Sequence, residues 1–211
     1  MKETVRILKQ NKRLYIALNL LFYGSIVVGL LYGLLRPDIG EEMAKWGVSA
    51  LIEAPPTAPA IFAYLRGSFV AAAVLTFLGN LFMCSISIGL GLVFPPIVVL
   101  VIPFLTGMGF LWGAAFGPVV ASIGSWRPVV HLLAFAIEGQ SIVLVLFIML
   151  RTCDAVLRPE RFGETSRWSA YRRALAQTGR LYVLIVVILL VGAIYEAFEI
   201  LYIVKIPKLV P

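Results

Sequence analysis

Apolar residues in this chain gather into five long runs, separated by polar or proline-containing stretches. The runs cover about residues 14–35 (LYIALNLLFYGSIVVGLLYGLL), 68–94, 97–121, 128–150 and 181–204. A helix needs roughly 20 mostly apolar residues to cross a bilayer, and each run is long enough. The pattern predicts an all-α integral membrane bundle, with about five transmembrane helices in a single membrane domain over 1–211. Pro95-Pro96 opens the third run and Arg127-Pro128 the fourth. The first run ends in LLRPDIG without a small-x-small cleavage pattern, so it is expected to remain as a signal anchor.

Two of the intervening stretches carry patterns of their own. In EEMAKWGVSALIEAPPTAPAIFAYLRG, within 36–67, Met43, Trp46, Ala50 and Glu53 recur at helical spacing. Ile61, Phe62 and Leu65 follow the Pro55-Pro56 break. This predicts two short interfacial helices on the face of the membrane, with a packed cap as the other reading. In 151–180, AVLRPERF ends at Gly163, and SRWSAYRRALAQTGR reads as a basic amphipathic helix. That loop offers either a headgroup-binding surface or a partner dock. No internal repeat or low-complexity segment is evident.

Composition sharpens the membrane reading. The chain is 61% hydrophobic and only 14% charged, against about 25% charged residues in soluble domains. The formal net charge is +7, but the cations fall between apolar runs, which points to anionic lipid headgroups and not to nucleic acid. Twelve of the eighteen basic residues lie in two segments. The N-terminal 1–13 holds Lys2, Arg6, Lys9, Lys12 and Arg13; the 151–180 loop holds Arg151, Arg158, Arg161, Arg167, Arg172, Arg173 and Arg180. Five spans put both segments on one side, and the positive-inside rule makes it cytoplasmic. The expected setting is the cell membrane, with 36–67, carrying Asp38, Glu41, Glu42 and Glu53, and the C-terminal KIPKLVP outside. Cys84 sits in an apolar run and Cys153 in the basic loop, so no disulfide is expected. No CxxC or His/Cys cluster suggests a metal or other cofactor.

The spans themselves carry Asn80, Thr106, His131, Glu138, Gln140, Glu196 and Glu199. An acid near the middle of a membrane helix costs about 2.5–3.5 kcal/mol, so such groups face protein or water. Glu138 lies about 15 Å in from Pro128, and Glu196 about 12 Å from the end of its helix, at 1.5 Å per residue. His131 and Glu138 are seven apart and share a face; Glu199 sits near the depth of His131. The fourth and fifth helices are therefore expected to face each other through these four groups. Two adjacent carboxyls cannot both ionise cheaply. Three readings arise: hydrogen bonds that fix packing, a polar pathway, and catalysis. No nucleophile arrangement supports the last. The third run also holds Gly107, Gly109, Gly113 and Gly117, with Pro103 and Pro118. The Gly-x-x-x-Gly spacing favours close helix contact; a discontinuous helix lining a cavity is the other option.

Together these residues resemble the stage II sporulation protein M family over about 64–204. FLGNLFMCSISIGLGLVFPP is similar to the family's Phe-x-x-Asn helix with a Gly-rich end, Asn80 being the matching asparagine. IPFLTGMGFLWG resembles its Asn-Gly-x-x-x-Gly stretch, with Thr106 where Asn is common. GAIYEAFEI resembles its closing small-x-x-Glu-Ala-Phe pattern, with Glu196 as the acid. In LLAFAIEGQSI, Glu138 fits the fourth-helix acid, while Ala134 and Phe135 replace the family's His-Gly. The resemblance implies a polytopic protein in which Glu138 and Glu196 approach each other. It also implies a scaffold role, since the namesake recruits peptidoglycan-degrading partners during engulfment. The expected function is a non-enzymatic scaffold or subunit of an envelope complex, self-associating or bound to other membrane or envelope proteins. Segments 36–67 and 151–180, the latter through Arg158, Arg161, Arg167, Arg172, Arg173 and Arg180, would be the docking surfaces. The alternative is a transporter or channel-like component moving an ion, lipid or small solute past Asn80, Glu138 and Glu196.

Overall fold

The computed structural model describes residues 2–53, 55, 57–123 and 127–204. The KIPKLVP segment expected beyond the membrane lies outside them. All regular structure among the described residues is helical. In order come α1 (Lys2–Gln10), α2 (Lys12–Leu35), α3 (Pro37–Glu53), α4 (Ala58–Leu65), α5 (Phe69–Val93), α6 (Val98–Ile123), α7 (Arg127–Leu157) and α8 (Arg167–Phe198). A π-helical turn over Glu199–Val204 continues α8.

Proline sets three of the boundaries. Arg36, Phe94 and Arg158 each precede a proline and leave the helical region, with φ between −130° and −139° and ψ between 67° and 78°. The proline ring excludes the helical conformation from the residue before it, while its own fixed φ suits the first turn of the next helix. Short 3-10 turns follow at Pro95–Ile97 and Pro159–Phe162. Ser166 starts α8 by accepting a hydrogen bond from the Ser169 N–H at 3.1 Å.

Five helices are long and apolar enough to cross a membrane, and the chain is a polytopic membrane protein. Their outward faces carry large apolar side chains such as Leu20, Leu35, Val70, Val93, Val99 and Leu100, each at least 69% exposed. Such a surface suits hydrocarbon and not water. α7 is the central helix: Val143–Met149 are all at most 2% exposed, enclosed mainly by α2, α5, α6 and α8. Leu181, Ile185 and Leu189 of α8 complete that core.

α2 and α6 touch backbone to backbone. A β-carbon on Gly113 would lie 2.8 Å from Leu30 N, one on Gly29 3.0 Å from Ala114 N, and one on Gly117 2.5 Å from Leu34 N. Gly109 faces Ser25 in the same seam. Gly107 does not join it and meets nothing within 4 Å. α6 runs continuously through Pro103 and Pro118, so the discontinuous helix is not formed.

The helix expected over SRWSAYRRALAQTGR is present, as the first turns of the long α8 and not as a separate element. α7 runs to Leu157 and α8 starts at Arg167, leaving a short connector. α7 and α8 have 31 and 32 residues, about 46 and 48 Å at 1.5 Å per residue, against a hydrocarbon core of about 30 Å. A small apolar cluster of Ala155, Phe162, Ala170 and Ala174 clamps the hairpin. The Arg151 guanidinium carbon lies 4.1 Å over the Phe162 ring, and Arg173 Nη1 donates to the Phe162 carbonyl at 2.6 Å. α1 joins this end through Glu3, which pairs with Arg180.

At the opposite end α3 packs on α6; a β-carbon on Gly40 would lie 2.6 Å from Pro118 Cγ. α4 packs on α5, burying Ala60, Ala63 and Tyr64 against Ala72, Ala73, Ala197 and Ile200. The two short helices expected over 36–67 are thus formed and fastened to the bundle.

Candidate functional site

Facing stripes on α7 and α8 assemble the acids. His131 and Glu138 lie two turns apart on α7; Glu196 lies on the adjoining stretch of α8, and Glu199 opens the π turn that continues it. The Glu138 and Glu196 carboxyls approach each other across the α7–α8 interface. Asn80 of α5 donates from Nδ2 to Glu138 Oε1 at 3.0 Å. Gly192 makes the approach possible, since a β-carbon there would lie 2.8 Å from Glu138 Cγ. The Ser141 hydroxyl donates to the Glu138 carbonyl at 2.5 Å.

One turn toward the α3–α4 end, His131 Nδ1 meets Glu199 Oε1. The imidazole stacks on Phe116, with centroids 5.3 Å apart and planes 9° from parallel, and takes the Phe135 ring edge-on at 4.8 Å. The His131 side chain is 21% exposed and that of Glu199 0%. Glu199 Oε2 is buried and has no hydrogen-bond partner among the described residues. Glu199 also opens the π-helical turn, a widening of the helix that recurs at functional sites. Tyr195 Oη donates to the Val130 carbonyl at 3.1 Å, tying α8 to the start of α7.

α4 covers this cluster. Tyr64, 7% exposed, shares a 3.0 Å hydrogen bond with Thr76 of α5. Burial first, then the charges of Glu196, Glu138 and Glu199, push its phenol well above the ordinary tyrosine range. At the same end, the hydrogen bond from Arg36 holds the Asp38 carboxyl below the usual carboxylate range; that pair spans 2.8 Å and is exposed.

Two of the intramembrane residues singled out by the sequence stand elsewhere. Gln140 accepts from Tyr15 Oη at 2.6 Å and donates to Asn19 at 2.8 Å and Tyr23 at 2.9 Å, binding α7 to α2. Among the described residues Thr106 donates only to carbonyls of its own helix, Ile102 at 2.9 Å and Pro103 at 3.1 Å. Part of the basic surface is engaged in ion pairs with nearby carboxylates. Arg158 and Arg161 reach Asp154, Arg173 reaches Glu164 and Arg180 reaches Glu3. Arg167 and Arg172 are exposed and have no carboxylate partner among the described residues. Trp168, 67% exposed, lies between them and stacks on Tyr171 with centroids 5.6 Å apart.

Sequence reasoning passed over Tyr64, Phe116, Gly192 and the Tyr15, Asn19, Tyr23 stripe. The stripe had a signal, because its members recur every four residues in the first span. Tyr64 and Phe116 had none, since ordinary aromatics in apolar runs carry no mark of their neighbours. Two surface cavities, of about 320 and 380 Å³, lie apart from the acids. The first adjoins Lys9, Lys12 and Arg13; the second is apolar, between Phe69 and the Val191–Phe198 face of α8. Among the described residues no group of three His, Cys, Asp or Glu side chains forms a metal site. The site's polar groups are two neighbouring carboxyls, a third on an imidazole, and one amide donor. No protein-family model, curated protein or solved structure matches the chain.

Proposed function

We propose that the protein is a non-enzymatic scaffold or subunit of a membrane complex of the cell envelope, with its basic end in the cytoplasm. The resemblance to the stage II sporulation protein M family fits this reading. The observation that carries it is the α7–α8 hairpin. It extends past the length a bilayer needs, it is clamped by Phe162, and it presents Arg167 and Arg172, without carboxylate partners among the described residues, beside the exposed Trp168. A rigid cationic and aromatic surface suits an acidic partner, because little ordering entropy is lost on docking. The intramembrane acids act in this reading as clasps between α5, α7 and α8. Self-association or a heterologous membrane partner would complete the assembly.

Photo-crosslinking from position 168 in native membranes tests the dock. A discrete protein adduct, lost in Arg167→Glu/Arg172→Glu at unchanged membrane levels, is the expected result. Adducts to lipid alone would reduce the surface to a headgroup belt and end the docking reading.

A second reading, movement of an ion, lipid or small solute past Asn80, Glu138 and Glu196, is favoured by the approach of the two carboxyls. A purely structural clasp gains nothing from groups that must be kept neutral in hydrocarbon. Flux in reconstituted vesicles that stops in Glu138→Gln/Glu196→Gln, with the fold unchanged, would replace the scaffold with this reading.

A further inference from the structure

We propose that the elbow between α1 and α2 is a binding site for an anionic phospholipid, whose phosphate is held by Lys9, Lys12 and Arg13. The inference is independent of the docking role of the α7–α8 hairpin.

The elbow is held in shape from both sides. Ile7 of α1 is buried in the main core at 4% exposure. Leu8 and Leu14, on either side of the bend, pack partly against the same core. Asn11 leaves the helical region at the bend, with φ −116° and ψ 29°, and its side chain donates to the Ile7 carbonyl at 2.8 Å. Glu3 ties the start of α1 to Arg180 of α8. A cavity of about 320 Å³ opens at the bend, lined by residues 9–14.

Charge sets this cavity apart from the rest of the basic end. Glu3 is the one acid of α1, and Arg6 and Arg180 engage it. Lys9, Lys12 and Arg13 are all exposed and have no carboxylate partner among the described residues. On the hairpin, by contrast, Asp154 and Glu164 engage Arg158, Arg161 and Arg173. Three cations around one small cavity repel one another, and an anion seated among them turns that repulsion into attraction. Phosphate oxygens accept charge-assisted hydrogen bonds from ammonium and guanidinium groups.

The position of the cavity selects a lipid over a soluble anion. Lys12–Leu35 is long and apolar enough to cross a membrane, so the elbow stands at the end of a span, at headgroup level. Ile16 and Leu20 follow Arg13 on one face of α2 and are 53% and 70% exposed. A lipid with its phosphate among the cations lays its acyl chains along that face; free phosphate makes no use of it. A zwitterionic lipid brings its own cation to the three already there and gains less.

Native mass spectrometry of the full chain in micelles, with phosphatidylglycerol or phosphatidylcholine added, tests the site. The wild type is expected to hold phosphatidylglycerol on the order of a hundredfold more tightly, at roughly fivefold for each cation beside an anionic headgroup. Lys9→Gln/Lys12→Gln/Arg13→Gln should lose that preference. Arg66→Gln/Arg167→Gln/Arg172→Gln, which removes as much charge elsewhere, should keep it. An unchanged preference in the elbow variant would overturn the site. Equal loss in the two variants would overturn it as well, since net charge alone would then decide. Displacement of the lipid by inorganic phosphate would assign the cavity to a soluble anion and overturn the lipid. If the elbow variant does not fold, photo-crosslinking from position 10 in native membranes decides the matter. A phospholipid adduct is the expected result, and adducts to protein alone overturn it. Neither measurement reads position 168, so this site and the dock stand or fall separately.

Discussion

Gly192 of α8 sits against Glu138 of α7 so closely that a β-carbon would lie 2.8 Å from Glu138 Cγ and 3.4 Å from Oε1. The carboxyl cannot retreat freely, because Asn80 holds Oε1 from α5 and Glu196 approaches it from α8. Gly192→Ala is therefore expected to lower stability by about 1–3 kcal/mol, the usual cost of overpacking. Gly179, on the same helix, has nothing within 4 Å. Gly179→Ala should be neutral or gain about 0.5–1 kcal/mol from helix preference alone. Unfolding in detergent micelles measures both, and equal midpoints would show that Glu138 yields without loss.

The α2–α6 seam makes a sharper demand. Around Gly113 the obstructing atoms are backbone, of Ile26 and Leu30, and no rotamer change can clear them. Gly113→Ala should push the helices apart and cost at least the upper part of the overpacking range, about 3 kcal/mol. Gly107→Ala, facing open space on the same helix, should leave the midpoint within about 1 kcal/mol of wild type. A Gly113→Ala protein as stable as Gly107→Ala would mean that the seam is soft.

These two sites also show where the sequence is informative. Spacing of Gly109, Gly113 and Gly117 marks a contact face, and length with hydropathy marks the spans to within a few residues on the membrane side. The stripe of His131 and Glu138 opposite Glu196 and Glu199 was readable because helix periodicity and depth are local properties. Partner choice is not local. Nothing in α6 names α2 as its neighbour, and Gln140 was grouped with the acids because depth alone does not reveal direction around α7. The basic segment was legible in part. Its helix over SRWSAYRRALAQTGR is present, but Arg151, Arg158, Arg161 and Arg173 lower the hydropathy and hide the continuity of α7 and α8 through it, where Phe162 and Asp154 gather these arginines. The π turn at Glu199 comes from tertiary contact and leaves no pattern in the residues.

Asn80 and Glu138 should be energetically coupled. Removing the amide leaves Glu138 Oε1 without its donor, and interhelical hydrogen bonds in membranes average about 0.6 kcal/mol with a maximum near 1.7. A double-mutant cycle of Asn80→Ala and Glu138→Ala, read by unfolding in micelles, is expected to return a coupling of about 1 kcal/mol. Additive effects would mean that Glu196 alone accounts for the position of Glu138.

Gln140 and Thr106 separate a bond between helices from a bond within one. Gln140→Leu deletes three contacts to Tyr15, Asn19 and Tyr23, whereas Thr106→Val deletes only bonds to its own helix. Tyr23 keeps the Ala136 carbonyl as acceptor at 2.7 Å, but Asn19 Oδ1 and the Tyr15 hydroxyl lose their partner on α7. At about 0.6–1 kcal/mol for each bond between helices, the loss should come to about 2 kcal/mol. It should also be local: α2 is held by the Gly113 seam on one side and by Gln140 on the other. Amide hydrogen exchange is therefore expected to quicken over Leu14–Tyr23 in Gln140→Leu and to stay unchanged in Thr106→Val. Equal protection in the two variants would assign the hold on α2 to the glycine seam alone.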